Sequence, residues 1–107
     1  MPLNEFIYLL NVLNEVCHEI NILDFEEIIG VQKKIFEDWV NKISKREKKE
    51  EIILLLDNFE LNFLQKSFEE VFKQIDEWEF QTRVGVTKQE AIIIQEKIGI
   101  SKNHENL

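Results

Sequence analysis

Apolar residues recur along this chain at intervals of three and four, the spacing of one face of an α-helix. Leu3, Phe6, Ile7, Leu10, Leu13, Cys17 and Ile20 define a first helix over residues 3–21. At about 100° per residue, Leu9 and Val16 widen its apolar arc, enough to meet more than one neighbour. Glu5, Tyr8, Glu15 and Glu19 fall together on the opposite side. Asp24-Phe25-Glu26-Glu27 has the pattern of a capping box, in which the first residue and the Glu three positions on satisfy each other's free N–H groups. It predicts a second helix from Asp24 to about residue 43. Phe25, Ile28, Ile29, Phe36, Trp39, Val40 and Ile43 make its buried stripe, with Gln32 inside it and Gly30 and Lys34 outside.

A second box, Ser44-Lys45-Arg46-Glu47, predicts a third helix through Leu56, whose block Ile52 to Leu56 is apolar on every side and so reads as enclosed. Asp57 and Asn58 can break the chain by competing for local backbone bonds. Leu56, Phe59 and Phe63 nevertheless keep helical spacing across them, so one long helix is the alternative. The fourth helix is expected to run to about residue 82, with Leu64, Phe68, Val71, Ile75 and Trp78 on its core face and Phe72 at the flank. Arg83-Val84-Gly85-Val86 reads as a loop. A third box, Thr87-Lys88-Gln89-Glu90, opens a short helix through Lys97, with Gly99 ending it and Ile100 packing back.

Composition sharpens this picture. Three glycines and one proline, Pro2, in 107 residues leave few turn formers for a protein of many short strands. The expectation is an all-α compact bundle of four or five helices, a single domain over residues 1–100 with a flexible tail over 101–107. The longest apolar run, Ile52 to Leu56, is far short of a membrane span. No basic residue precedes the first apolar residues, so no secretory signal is expected. The single cysteine excludes an internal disulfide, and a cytoplasmic protein is expected.

The formal net charge is −8, from 21 acidic against 13 basic side chains. Such a surface repels phosphate backbones and attracts basic partners, so no nucleic-acid partner is expected. The one dense basic run, Lys45-Arg46-Glu47-Lys48-Lys49, is diluted at once by Glu50 and Glu51 and reads as a solvated connector.

Residues that carry chemistry are scarce. Glu15-x-x-His18 has the spacing of carboxylate-bridged di-metal bundles, but those need a second copy and further glutamates. The only other histidine is His104, so no metal and no cofactor is expected. Cys17 lies on the apolar face, where burial makes a thiol a poor nucleophile. Ser44, Ser67 and Thr87 lack a base and an orienting acid. The loop at Gly85 has too few glycines to cradle phosphate. No enzyme is expected.

Carboxylates, by contrast, come in pairs: Glu26-Glu27, Glu37-Asp38, Glu69-Glu70 and Asp76-Glu77. On an uninterrupted fourth helix, Glu69 and Asp76 share one flank, Glu70 and Glu77 the other, and Phe80 points away from Phe68 and Ile75. Tyr8 points with Glu5, Glu15 and Glu19 on the first helix. An aromatic among carboxylates offers a basic protein a desolvated anchor and a steering field. The candidate partner-binding residues are therefore Phe80, Glu69, Asp76, Glu77, Glu70, Tyr8, Glu15 and Glu19. Glu79, near the Phe72 side, is placed to pair with Arg83.

Short, acidic and helical, with aromatics among carboxylates, the chain resembles the helical bacterial immunity proteins of nuclease colicins and of contact-dependent growth inhibition. The resemblance centres on Asp76-Glu77-Trp78-Glu79-Phe80-Gln81-Thr82-Arg83-Val84-Gly85 and covers residues 57–98. It departs from the nuclease-colicin inhibitors in having Tyr8 alone where those carry two tyrosines. The resemblance implies a cytoplasmic monomer that binds a cognate toxin domain and blocks its active site or substrate path. Charge points the same way, because a nuclease is basic where it meets phosphate. The alternatives are a helical adaptor, chaperone or regulatory subunit with a more apolar contact surface, and a DNA-binding regulator built on Asp24 to Ile43. The latter would set Glu37 and Asp38 beside DNA.

Overall fold

Six α-helices carry the chain in the computed structural model, which describes residues 1–105 and the side chains of residues 1–98. They are α1 (Leu3–Asn14), α2 (Phe25–Ile29), α3 (Lys33–Ser44), α4 (Asn58–Gln74), α5 (Glu77–Val84) and α6 (Lys88–Glu105). No strand forms among the described residues; one antiparallel bridge joins Pro2 to Glu51. The all-helical expectation holds. The helix count differs because two expected helices are broken and a third does not form.

α1 lies at the centre and packs on α3, α4 and α5. Phe6, Leu9, Val12 and Leu13 are buried along it, and Val16 and Cys17 continue the same face. Each such large aliphatic or aromatic side chain contributes about 1.5–3 kcal/mol on full burial. Past Asn14 the helix widens into one π turn, Glu15–Glu19, closed by a 2.8 Å bond from the Ile20 N–H to the Glu15 carbonyl.

The Asp24 box does not form. Asp24 sits at φ 54°, in the left-handed region, and its side chain caps nothing. A capping residue needs extended backbone to aim its oxygen at the helix amides, and this conformation denies it. α2 then ends after five residues, because Gly30 takes φ 98° and donates its N–H to the Glu26 carbonyl. A Cβ there would stand 3.1 Å from Asn62 Nδ2 on α4, so this turn accepts only glycine comfortably. Gln32 is the N-cap of α3 rather than a stripe residue.

The expected helix from Ser44 to Leu56 is absent. Ser44 ends α3, its hydroxyl donating to the Asn41 carbonyl; a turn at Lys45 and bends at Arg46 and Glu50 lead into an extended stretch over residues 51–57. Ile52 is buried, Leu54 and Leu56 half-buried, Ile53 and Leu55 exposed. That alternation is the two-residue period of extended chain. An apolar block this short fits either period, and pairing of Ile52 with Met1 selects the extended one. The next helix begins at Asp57, whose carboxylate accepts the Glu60 N–H at 2.8 Å while Glu60 accepts the Asp57 N–H at 3.1 Å. Helices three and four are therefore not continuous.

The fourth expected helix breaks at Ile75 and Asp76, both in extended conformation. α5 starts afresh, with the Asp76 carbonyl accepting the N–H groups of Glu79 and Phe80. Gly85, at φ 99°, ends it against the Tyr8 ring. At Thr87 only half of the expected box forms: Thr87 Oγ1 accepts the Glu90 N–H at 3.2 Å, while the Glu90 carboxylate accepts the Thr87 hydroxyl at 3.0 Å rather than its backbone N–H. α6 runs on through Gly99 to Glu105, so Gly99 does not end it. The packing expected of Ile100 lies outside the described side chains.

Candidate functional site

The break at Ile75–Asp76 exchanges the roles of two aromatics. With extended residues inserted, the phase of α5 is no longer that of α4. Phe80 is fully buried at 0% exposure, stacked on Phe72 at 5.7 Å. Trp78, expected in the core, is 78% exposed. The outward placement of Phe80 is thus overturned, and Trp78 joins Phe59 of α4 as an exposed aromatic. Trp39, the other expected core tryptophan, is half-buried among Phe36 and Phe63, its Nε1 donating to Glu60 at 2.6 Å.

Trp78 borders an open depression of about 420 Å³ with Glu77, Gln81, Thr87, Lys88 and Gln89. Asp76 and Glu77 are exposed beside it. Lys88, the basic group of this rim, is turned inward: its ammonium lies 3.3 Å from the Ile75 carbonyl and 6.0 Å from the Phe80 ring centre. The exposed charges next to Trp78 in the chain are therefore Asp76 and Glu77.

The remaining candidates separate sharply. Glu69 is exposed on α4, 3.6 Å from Lys66. Glu70 is nearly buried and accepts from Gln74 at 3.2 Å, so it is no free contact residue. Glu19 is exposed.

The Tyr8 face is occupied from within. Glu15 is only 5% exposed and is held by the Arg83 guanidinium, which also lies 3.5 Å from Glu79 as expected for that pair. The bond to Glu15, followed by the charges of Glu15 and Glu79, raises the Arg83 pKa above its ordinary value against the cost of desolvation. Asn11 donates to the Val84 carbonyl at 2.8 Å, Glu5 takes Lys97 at 2.9 Å, and Tyr8 is half-buried against Gly85. The polar stripe of α1 is an internal seam with α5 and α6. Tyr8 and Glu15 leave the candidate surface for that reason.

Glu15, committed to Arg83, does not meet the exposed His18 as a ligand pair. Among the described residues no group of three or more His, Cys, Asp or Glu gathers as a metal site, and no helix is long and apolar enough to cross a membrane. Cys17 is buried, and its thiol is pushed up from 9.0 to about 11, first by burial and then by the charge of Glu37, against Lys33. The unfolded thiol ionises first as pH rises, so this contribution to stability is complete below pH 9 and declines between about 9 and 11. Alkylation of Cys17 at pH 8 should accordingly be far slower in the native protein than in urea. Equal rates would contradict its burial.

Sequence reasoning missed Trp78, although a signal was present. Asp76-Glu77-Trp78-Glu79 has the spacing of a helix start, with acidic residues in the first turn. No protein family model, curated protein or solved structure matches this chain.

Proposed function

We propose that this protein is an inhibitor of the immunity type, which binds a basic toxin domain, a nuclease by the charge argument, and neutralises it. The observation that carries the proposal is the exposed indole of Trp78 at the start of α5, next to the exposed Asp76 and Glu77, on a chain of net charge −8. Tryptophan is among the side chains most enriched at binding hot spots. The carboxylates beside it steer a basic surface towards the indole and mimic the phosphates that such a surface evolved to meet. Inhibition then follows from occupation of the phosphate-binding region.

The test combines capture and kinetics. The immobilised protein should retain a basic protein from its source cell, and Trp78→Ala should speed dissociation of that complex by about 30-fold, or about 2 kcal/mol. Reversing Asp76 or Glu77 to Lys should slow association and flatten its salt dependence, leaving dissociation less affected. A partner without basic character, bound equally well by Trp78→Ala, would rule the inhibitory reading out.

A further inference from the structure

The open depression that Trp78 borders has two walls. Gln81 follows Glu77 by four residues and Trp78 by three, so these side chains share one face of α5. Thr87, Lys88 and Gln89, where α6 starts, form the other wall. Of these six side chains only two hydrogen-bond to a described residue: Thr87 to Glu90, and Lys88 to the Ile75 carbonyl. The Glu77 carboxylate, the indole N–H and the amides of Gln81 and Gln89 are uncommitted among the described residues, and all four side chains are exposed.

Charge selects what can enter. A helix start carries about half a positive charge. At α6 it is outweighed by the full charge of Glu90, whose carboxylate accepts the Thr87 hydroxyl at 3.0 Å. The Lys88 ammonium is drawn to the Ile75 carbonyl and the Phe80 ring rather than to Glu77. An anion entering the depression therefore meets the unpaired Glu77, and a neutral group leaves it unpaired. A cation gains from both the carboxylate and the indole.

We infer that this depression is a subsite for an arginine side chain of the partner protein. The inference rests on the inhibitory reading for the source of that arginine, and adds the group that is recognised. A guanidinium is planar, so it can lie on an indole while its edge donates to carboxylate and amide oxygens. Its five N–H donors and lack of acceptors suit Glu77, Gln81 and Gln89, each of which offers an oxygen. A lysine ammonium donates from a single point and holds its water more tightly, so it gains less in an open depression. Arginine is also the side chain that grips phosphate with two bonds at once, and its capture here withholds it from a nucleic-acid substrate.

Titration of the unsubstituted chain with Nα-acetyl-arginine amide, read at the indole N–H signals by nuclear magnetic resonance, tests the subsite. There are two tryptophans; Trp39, whose N–H is held by Glu60, is the internal reference, and Trp78→Ala assigns the pair. The Trp78 signal should shift saturably while that of Trp39 stays. The corresponding lysine amide should bind at least threefold more weakly, and the uncharged citrulline amide should not saturate. Glu77→Gln should weaken the arginine amide about threefold at low salt, with circular dichroism unchanged because that side chain is exposed. Asp38→Asn, which removes an exposed carboxylate from α3, should leave the affinity as it is. A Trp78 signal that never saturates would overturn the inference, as would equal binding of the lysine amide or indifference to Glu77→Gln. If the subsite fails in this way while a captured basic protein still needs Trp78, the inhibitory reading stands without it. An arginine-selective shift beside a captured partner of no basic character would keep the subsite and remove the inhibitory reading.

Discussion

Phe80→Ala should destabilise the protein by about 3–5 kcal/mol, the range for truncating a buried aromatic, whereas Trp78→Ala should change stability by no more than about 0.5 kcal/mol. Phe80 is wholly enclosed, stacked on Phe72 with the Lys88 ammonium over its ring, so its removal leaves a cavity that the short helix α5 cannot close without moving. Trp78 holds no comparable position, with most of its surface already in water. The helical stripe read across residues 64–78 implies the reverse order, a large cost at Trp78 and none at Phe80. Urea unfolding of the two variants separates the alternatives by several kcal/mol, well beyond the error of extrapolation. A costly Trp78→Ala with a harmless Phe80→Ala would restore the uninterrupted helix.

Arg83→Met should cost about 2–3 kcal/mol, and most of that loss should return when Glu15→Gln is added. Breaking a buried pair leaves an uncompensated charge, at about 3–5 kcal/mol when both groups are fully enclosed. Here Glu15 is nearly enclosed and the Arg83 side chain about a third exposed, so water relieves part of the penalty. Removing both charges strands neither, which is why the double variant recovers. Because this pair joins the π turn to α5, the single variant should also loosen the helix that carries Trp78. A double-mutant cycle in urea gives the coupling directly. Additive losses would mean that the two side chains do not act as a pair.

The helical class was legible because apolar spacing and the scarcity of Gly and Pro agree. The boundaries were not, and the capping box shows why. In a chain this rich in glutamate the pattern arises often by composition. Asp57 forms a box and Thr87 caps its helix without the return bond, but Asp24 is held in a left-handed turn and Ser44 closes a helix instead of opening one. Only the backbone angle of the first residue distinguishes these cases, and that angle is set by packing with distant elements. Ile52 to Leu56 is equally ambiguous alone; its bond to Met1, some fifty residues away, decides it.

The expected direction of each aromatic rested on one uninterrupted helix, and the break after Ile75 turns Trp78 out and Phe80 in. On α1, a polar stripe looks the same whether it faces water or another polar stripe. Arg83, Val84 and Lys97 cover Glu15, Asn11 and Glu5 from elements far along the chain. Helical phase within a single element cannot reveal that seam.

Acrylamide quenching of Trp78 fluorescence, in a Trp39→Phe background, reads the exposure of this indole with the protein free and then bound to its captured basic partner. Strong quenching is expected in the free protein and marked protection in the complex. Protection already present in the free protein would contradict the break at Ile75–Asp76, and quenching unchanged by the partner would contradict Trp78 as the anchor.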